Sequence, residues 1–198
     1  MANTTPILSW TNATGTAPVT TFDMGVVDAG TISNEFEFLL WNNRRVVGSV
    51  NPETSQEIGA TNLSNVEDLT ITTKDISGGT NSEVVRNTWI RLNVPDQDTQ
   101  WKRLGFDTAL NQDIRVPVGS TGSTTYTYDG EETPTVSTPN QGDHVSVNGT
   151  VSLLGVANDG TLDNSQGNFI RLKFRAEVPG VATAGIKEFL VRASYKYI

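Results

Sequence analysis

Alternation of apolar and polar side chains with a period of two residues is the feature that most constrains this chain. In NFIRLKFRAEV, residues 168–178, apolar side chains occupy every second position, and the positions between them hold Arg171, Lys173 and Arg175. IKEFLVRASYKY, residues 186–197, alternates in the same way. Such alternation predicts β-strands with one buried face. The connection PGVATAG is short and rich in turn residues, so we expect the two strands to pair as an antiparallel hairpin.

The same pattern recurs upstream in EFEFLLW, EDLTITT, TWIRLNV and HVSVNGTVSLLGV, with shorter candidates in PILSW, WKRLGF and DIRVPV. No window holds a sustained helical period. Roughly nine or ten short strands separated by turns predict an all-β fold, an antiparallel immunoglobulin-like β-sandwich. The residues expected to point into the core are Phe36, Phe38, Leu40, Leu69, Ile71, Ile90, Leu92, Val94, Val145, Val147, Val151, Leu153, Ile170, Leu172, Phe174, Ala176, Val178, Phe189, Val191, Ala193, Tyr195 and Tyr197.

Two segments are expected to form long loops, residues 44–65 and residues 118–142. Long loops on a β-scaffold tend to carry contacts with other molecules. The second segment is rich in Ser and Thr, which leaves open a division into two parts, 1–117 and 143–198. We expect a single domain over 1–198, because residues 143–198 alone supply too few strands for an independent sandwich.

Composition excludes several classes of function. The net charge is −8, and an acidic chain avoids polyanions, so neither nucleic acid nor an anionic membrane is an expected partner. The chain has no cysteine, which excludes disulfides, thiolate catalysis and cysteine-ligated metal sites. The start MANTTPILSW lacks the pattern of a signal peptide, and no apolar run is long enough to span a bilayer. We therefore expect synthesis in the cytoplasm.

Candidate catalytic and metal-binding residues are few. His144 is the only histidine, and Asp143 and Ser146 are near it in sequence. Adjacent residues along a strand point to opposite faces, so Asp143 and His144 do not form a Ser-His-Asp triad here. The paired carboxylates Glu131-Glu132, Glu67-Asp68 and Glu35/Glu37 suggest no cleft of the kind that a glycosidase needs. The Asx-rich segment Asn158–Asn168 offers oxygen ligands for calcium, although Asx turns are the commoner use of such residues. No catalytic residue, metal site or cofactor is expected.

The segment FDMGVVDAGTISNEFEFLLWNN, residues 22–43, resembles the N-terminal signature of immunoglobulin-like domains of the abnormal-spindle/hydin type. The two glycines of the signature allow backbone conformations or close approaches that a side chain would block. The matching residues are Phe22, Gly25, Val27, Gly30, Phe36, Phe38, Leu40 and Asn42.

A wider resemblance covers the order of the segments DMGVVDAG…FLLWNNR, NVEDLTITTKDISGG, WIRLNV, GVANDGTLDNSQGNF and RAEVPGVATAG…VRASYKY. In this order the chain is similar to small β-rich virion or tail structural proteins of tailed bacteriophages and phage-tail-like particles. The resemblance implies a non-enzymatic structural component that packs between virion subunits, including copies of itself, in the tail or baseplate region or as a capsid decoration. The alternative is a carbohydrate-binding module on which Trp10, Trp41, Trp89 or Trp101 stacks against sugars of the host surface.

The charge distribution suggests where such contacts lie. Residues 166–198 hold six basic and two acidic side chains, whereas residues 1–165 hold 8 basic and 20 acidic ones. Arg171, Lys173 and Arg175 are therefore expected to form a basic interface, although they also suit an ordinary solvent-exposed strand face. Trp89 precedes Ile90 and by alternation lies on the opposite sheet face, which would then be covered by a loop or a neighbouring chain. The loops 44–65, which begins with Arg44 and Arg45, and 118–142 complete the expected interface.

Overall fold

The computed structural model of the chain describes residues 4–97, 99–118, 125–128, 145–148 and 152–197. This part contains thirteen strands and one four-residue helix, and every strand pairing in it is antiparallel. The all-β prediction is therefore confirmed. The elements are β1 (Leu8–Asn12), β2 (Phe36–Asn42), β3 (Val66–Lys74), α1 (Glu83–Arg86), β4 (Ile90–Asn93), β5 (Lys102–Arg103), β6 (Gly105–Asp107), β7 (Gln112–Ile114), β8 (Val116–Pro117), β9 (Thr125–Tyr128), β10 (Val145–Asn148), β11 (Ser152–Leu153), β12 (Phe169–Ala176) and β13 (Leu190–Tyr197).

Two sheets dominate the architecture. The first has the strand order β1-β2-β12-β4-β5, and the second has the order β11-β3-β13, with β8 also paired to β3. Because β13 pairs with β3 along its length, β8 and β11 share the opposite edge of β3. Two smaller ribbons, β6–β7 and β9–β10, complete the described strands.

The two sheets enclose one hydrophobic core. Alternation explains the contribution of β12, whose residues Ile170, Leu172 and Phe174 are fully buried while the basic residues between them point outward. Burial at this scale stabilises the fold by about 1.5–3 kcal/mol for each large apolar side chain. The buried members of the core are Phe38, Leu40, Val66, Leu69, Ile71, Val84, Trp89, Ile90, Leu92, Val94, Leu104, Val116, Val118, Leu153, Ile170, Leu172, Phe174 and Ala176.

The predicted C-terminal hairpin is wrong. Both edges of β12 are occupied, by β2 on one side and β4 on the other. The chain instead crosses from the first sheet to the second, where β13 pairs with β3. The two strands alternate as predicted, but periodicity specifies which face of a strand is buried and not which strand lies beside it.

The N-terminal signature segment packs on the core without forming a regular strand at residues 22–27. The ring of Phe22 lies 4.9 Å from the ring of Phe38 and 5.9 Å from that of Phe189, measured between centroids. Gly25 and Gly30 have φ values of 72° and 79°, the left-handed conformation that glycine adopts without steric cost. The expected role of these glycines is confirmed.

Asparagines at the end of β2 and in the later segment 158–168 hold the neighbouring loops together. Asn42 donates from Nδ2 to the carbonyl oxygens of Ser64 and Leu153, at 3.0 and 3.1 Å, and so connects the end of β2 to the second sheet. Side-chain amides satisfy backbone groups here where no strand pairs with them. We call this group the asparagine cluster: Asn42, Asn43, Asn158 and Asn168.

The two predicted loops differ. Residues 44–65 form no strand and contain one isolated bridge, between Val50 and Glu57, so the first prediction is confirmed. The second segment, residues 118–142, includes strand β9, which pairs with β10. Its other residues after position 118 lie outside the described part of the chain. The short helix α1 was not predicted, because four residues carry too little helical periodicity to detect.

Candidate interaction surface

The basic side chains of β12 lie together on the outer face of the first sheet, as alternation predicts. Each is paired with a carboxylate of the same chain. Arg171 Nη1 lies 3.0 Å from Glu37 Oε1, and Lys173 Nζ lies 3.5 Å from Glu35 Oε2. The register of β12 against β2 creates these cross-strand pairs. This face is therefore electrically compensated and is not a free basic patch.

Arg175 is held most firmly of the three. It pairs with Glu177, and its guanidinium carbon lies 4.1 Å from the centroid of the Trp101 ring. Arg91 Nε contacts the other oxygen of Glu177 at 2.7 Å. Burial raises the pKa of Glu177, but hydrogen bonds and the positive charge of Arg175 and Arg91 outweigh it, so the pKa is lowered. The group is a fixed ion-pair network beneath a half-buried tryptophan.

Arg44 and Arg45 are likewise engaged within the chain. Arg44 Nη2 donates to the carbonyl oxygen of Gly15 at 2.6 Å, and its guanidinium carbon lies 5.7 Å from the Trp41 ring centroid. Arg45 Nη2 lies 2.9 Å from Glu57 Oε2. Both side chains stabilise the start of the first loop.

The predicted position of Trp89 on an outer face is wrong. Trp89 is 5% exposed and belongs to the main core together with Ile90. It lies before β4 begins, and the preceding Thr88 has a φ of 51°, which breaks the alternation on which the prediction depended. The Lys187 ammonium lies 5.9 Å from its ring centroid.

The aromatic residues proposed for sugar stacking are mostly covered. Trp41 is fully buried and donates from Nε1 to Thr11 Oγ1 at 3.0 Å. Trp10 packs against Phe174 in the core, with ring centroids 6.3 Å apart. The exposed aromatic pair among the described residues is instead Tyr195 and Tyr197, which are 37% and 47% exposed with ring centroids 6.5 Å apart. The sequence prediction that both tyrosines enter the core is wrong.

The Asx-rich segment 158–168 is used for turns and for cross-links between loops. Asn158 donates from Nδ2 to the carbonyl oxygen of Asn43, and its Oδ1 accepts from the backbone of Arg45 and Gly160. Hydrogen bonds from Thr161 and Asn164 lower the pKa of Asp159 to about 2. No group of three acidic, histidine or cysteine residues in the described part of the chain could hold a metal ion.

The remaining carboxylate candidates fall into two groups. Glu35 and Glu37 form the ion pairs of the first sheet described above. Asp68 pairs with Lys196, with Nζ and Oδ2 2.8 Å apart. His144 and the pair Glu131-Glu132 lie outside the described residues.

The outer edge of β13 is the most distinctive open surface. This eight-residue strand pairs with β3 on one side, and no described residue pairs with its other side. A bulge opposite Tyr195 interrupts the β3 register, where Asp68 has a φ of 49°. A long edge strand presents backbone donors and acceptors to other chains.

The other sheet edges are short or covered. The outer edge of β1 is closed by the chain itself, because the amide of Val19 donates to the carbonyl oxygen of Trp10 and Pro18 lies opposite Thr11. Strands β5, β8 and β11 each have two residues. Compared with these edges, the outer edge of β13 is longer. It spans eight residues, and no described residue pairs with it.

A second surface lies at the end of the sheets where β13 begins. The segments 22–34 and 177–189 run side by side there, with the amide of Gly30 donating to the carbonyl oxygen of Val178 at 2.9 Å. They carry four strongly exposed aliphatic side chains, 58–98% accessible, which we call the apolar rim: Val26, Ile32, Val181 and Ile186.

Glu83 of α1 anchors the second of these segments. It accepts hydrogen bonds from the Thr183 hydroxyl and from the Lys187 ammonium. These bonds, with that of the Thr183 hydroxyl the strongest, lower the pKa of Glu83 to about 2. The apolar rim is thus presented by loops that are tied to the body of the protein.

Comparison with protein-family models, with curated proteins and with solved structures finds no match to the chain. In the described residues, no helix has the length and apolar character needed to cross a membrane. The chemistry of the surface itself is therefore the basis for a functional proposal.

Proposed function

We propose that this chain is a non-enzymatic structural component of a bacteriophage or phage-tail-like particle. In this role it packs between neighbouring virion proteins and copies of itself, with the tail or baseplate region favoured over capsid decoration. We further propose that 1–198 is one domain and that its two antiparallel sheets form an immunoglobulin-like β-sandwich.

The observation that carries the proposal is the uncovered edge of β13. The chain closes the edge of β1 with its own residues, whereas no residue in the described part of the chain pairs with the outer edge of the eight-residue strand β13. An edge of this length in a stable protein is usually blunted or covered. A neighbouring subunit supplies that cover in an assembly, and the apolar rim gives the same subunit a second contact.

The proposed absence of catalysis is supported by the state of the carboxylates. Hydrogen bonds hold Glu83 and Asp159 ionised with pKa values of about 2, and Asp113 and Glu177 also have lowered pKa values. A general acid at neutral pH needs the opposite shift, towards 6 or 7. These side chains stabilise structure by pairing.

The test is the composition of purified particles. Particles released from cells that encode the chain are separated on a density gradient and washed in high salt, and their proteins are identified by mass spectrometry. We expect the chain to sediment with tail proteins, and genes for sheath, tube or baseplate proteins to flank its own gene. A chain found only in the soluble fraction, with particles complete without it, would refute the virion role.

A carbohydrate-binding module is the second candidate, favoured by the exposed pair Tyr195 and Tyr197. Aromatic faces of this kind stack on sugar rings. Saturable quenching of intrinsic fluorescence by host-wall glycans, lost in Tyr195→Ala and Tyr197→Ala, would support this candidate. Trp41→Ala is unsuitable for the test, because Trp41 is fully buried and its loss would destabilise the fold.

A further inference from the structure

The chemistry along β13 indicates what kind of strand can cover its edge. Phe189, Val191 and Ala193 pack against the core, so the residues between them face solvent on the other side of the sheet. Two of those solvent-facing residues are basic and exposed, Arg192 and Lys196. Lys196 is already paired with Asp68 of β3, so Arg192 is the positive charge that a partner strand would meet. The face of β13 that is turned towards the core ends in Tyr195 and Tyr197, which are exposed to solvent.

A strand added to this edge would meet two different environments in alternation. On the outer face, its side chains would lie beside Arg192 and Lys196. On the inner face, they would lie beside Tyr195 and Tyr197 at the rim of the core. Opposite charges and aromatic–aliphatic contacts between neighbouring strands each stabilise pairing. The edge therefore favours a partner in which carboxylate and apolar side chains alternate.

A second copy of β13 is a poor occupant. Two copies that extend one sheet antiparallel across a two-fold axis place residues of the same face opposite each other. β13 carries no carboxylate and Lys196 is already paired with Asp68, so Arg192 of one copy would find no opposite charge on β13 of the other. Like charges at neighbouring cross-strand positions destabilise pairing.

We propose that the open edge of β13 binds, by strand addition, an extended segment of another protein that alternates acidic and apolar side chains. Backbone hydrogen bonds to β13 supply the affinity, and the alternation of charge and apolar surface supplies the register. The inference names a partner for the assembling subunit proposed above and rests on that role. Because the charged pairs are exposed, binding weakens as salt concentration rises.

The experiment uses the purified full chain and two end-blocked peptides of the length of β13. In one peptide glutamate alternates with valine or phenylalanine, and in the other lysine replaces glutamate. Affinity is measured by fluorescence anisotropy, and the site is located from amide shifts in nitrogen-15 NMR spectra. We expect the glutamate peptide to bind more tightly than the lysine peptide and to shift the amides of residues 190–197.

Charge reversal at Arg192 tests the chemistry of the outer face. No ion pair engages Arg192 among the described residues, so Arg192→Glu leaves the fold intact. The substitution should lower the affinity for the glutamate peptide by about twofold to thirtyfold, because an attraction is lost and a repulsion is gained. It should raise the affinity for the lysine peptide. Arg86→Glu in α1 is the matched control, with the same change of net charge at an exposed site away from β13, and should change neither affinity.

Three results would overturn the inference: no binding of the glutamate peptide, equal binding by Arg192→Glu, or amide shifts confined to residues outside 190–197. Dimerisation of the free chain with protection of the β13 amides would also overturn it, in favour of self-pairing. The experiments distinguish a wrong inference about strand addition from a wrong proposal of the virion role. Particles that contain a chain unable to bind the peptide refute this inference alone, and peptide binding by a chain absent from particles refutes the virion role alone.

Discussion

Replacement of Asn43 tests how the asparagine cluster holds the loops to β2. The side chain of Asn43 donates from Nδ2 to the carbonyl oxygens of Thr61 and Gly155, at 2.7 and 2.8 Å, and its Oδ1 accepts from the amide of Gly59 at 3.0 Å. Asn43 is almost fully buried and has a φ of 58°. Asn43→Ala removes the amide and keeps the Cβ atom at this positive φ. Asn43→Gly removes the amide and also relieves the backbone strain that Cβ causes there.

The expected loss follows from these contacts. Three short hydrogen bonds at a net value of about 0.5–1.5 kcal/mol each place the cost of Asn43→Ala at about 2–4 kcal/mol, a large part of the typical free energy of unfolding of a domain. Asn43→Gly should cost about 1–2 kcal/mol less than Asn43→Ala, because it also removes the Cβ atom that crowds the carbonyl oxygen in the left-handed conformation.

Equilibrium unfolding in urea, followed by tryptophan fluorescence, measures both variants. If the free energy of unfolding falls by about 2 kcal/mol for each molar of urea, Asn43→Ala should lower the midpoint by about 1–2 M, and Asn43→Gly should lower it less. Asn12→Ala is the matched control. Asn12 also makes three short side-chain hydrogen bonds, to Thr16 and Ala17, but in an exposed turn where water can replace them, so its cost should stay below about 1 kcal/mol.

Two results would refute this reasoning. If Asn43→Ala costs no more than Asn12→Ala, the buried amide does not hold the loops. If the glycine and alanine variants of Asn43 are equally stable, the positive φ carries no strain.

Three further predictions concern other contacts. Asp113→Asn should cost about 3–5 kcal/mol because it leaves the Lys74 ammonium poorly solvated, whereas Lys74→Met should cost less because Arg115 still pairs with Asp113; urea unfolding of both variants checks the order. The pKa of Glu83 is lowered from 4.5 to about 2, so its stabilising effect is complete above about pH 4.5 and is lost as the pH falls towards 2; the difference in stability between wild type and Glu83→Gln, measured from pH 6 to pH 2, should shrink over that window. A fragment that ends at residue 168 lacks β12 and β13, one from each sheet, and should not fold cooperatively, which calorimetry would show as the absence of an unfolding transition.

Burial by strand was largely predictable from sequence, because alternation depends on local geometry. The inward residues of β3, β4 and β12 are buried as their period indicates. Tyr195 and Tyr197 are exceptions, since they lie where β13 extends to the rim of the core. Leu39 and Trp41 were also missed, because their outward face of β2 is covered by Leu162 from a distant loop.

Strand partners were less predictable. Turn residues between β12 and β13 favoured a hairpin, yet the connection belongs to a crossover between sheets. One signal for the pairing of β12 with β2 was present in the sequence. Glu35 and Glu37, at the start of β2, alternate in the same way as Arg171 and Lys173 in β12, and these charges form ion pairs across the two strands. Complementary charge patterns predict strand pairing only weakly when many strands in the chain could be partners.

The candidate interaction surface was predictable only in part. The charge pattern and the loops predicted contacts with other chains, but the location of an open strand edge requires the strand order, which alternation does not contain. The carboxylates that compensate Arg171 and Lys173 were hard to foresee, because they come from a segment over 130 residues away, as in the pair Arg171 and Glu37. The apolar rim was not predicted, since isolated aliphatic residues in loops carry no periodic signal.

The pairing of β3 with β13 has a consequence for synthesis of the chain on the ribosome. The two strands are far apart in sequence, with a separation of 124 positions from Thr70 to Ser194, and β13 follows every other described strand. Until it emerges, β3 presents an open edge and the core lacks the cover of Val191 and Ala193. Contacts of such long range form slowly and leave apolar surface exposed to aggregation. The second sheet therefore closes late, and the apolar surface that β13 covers stays exposed until it does.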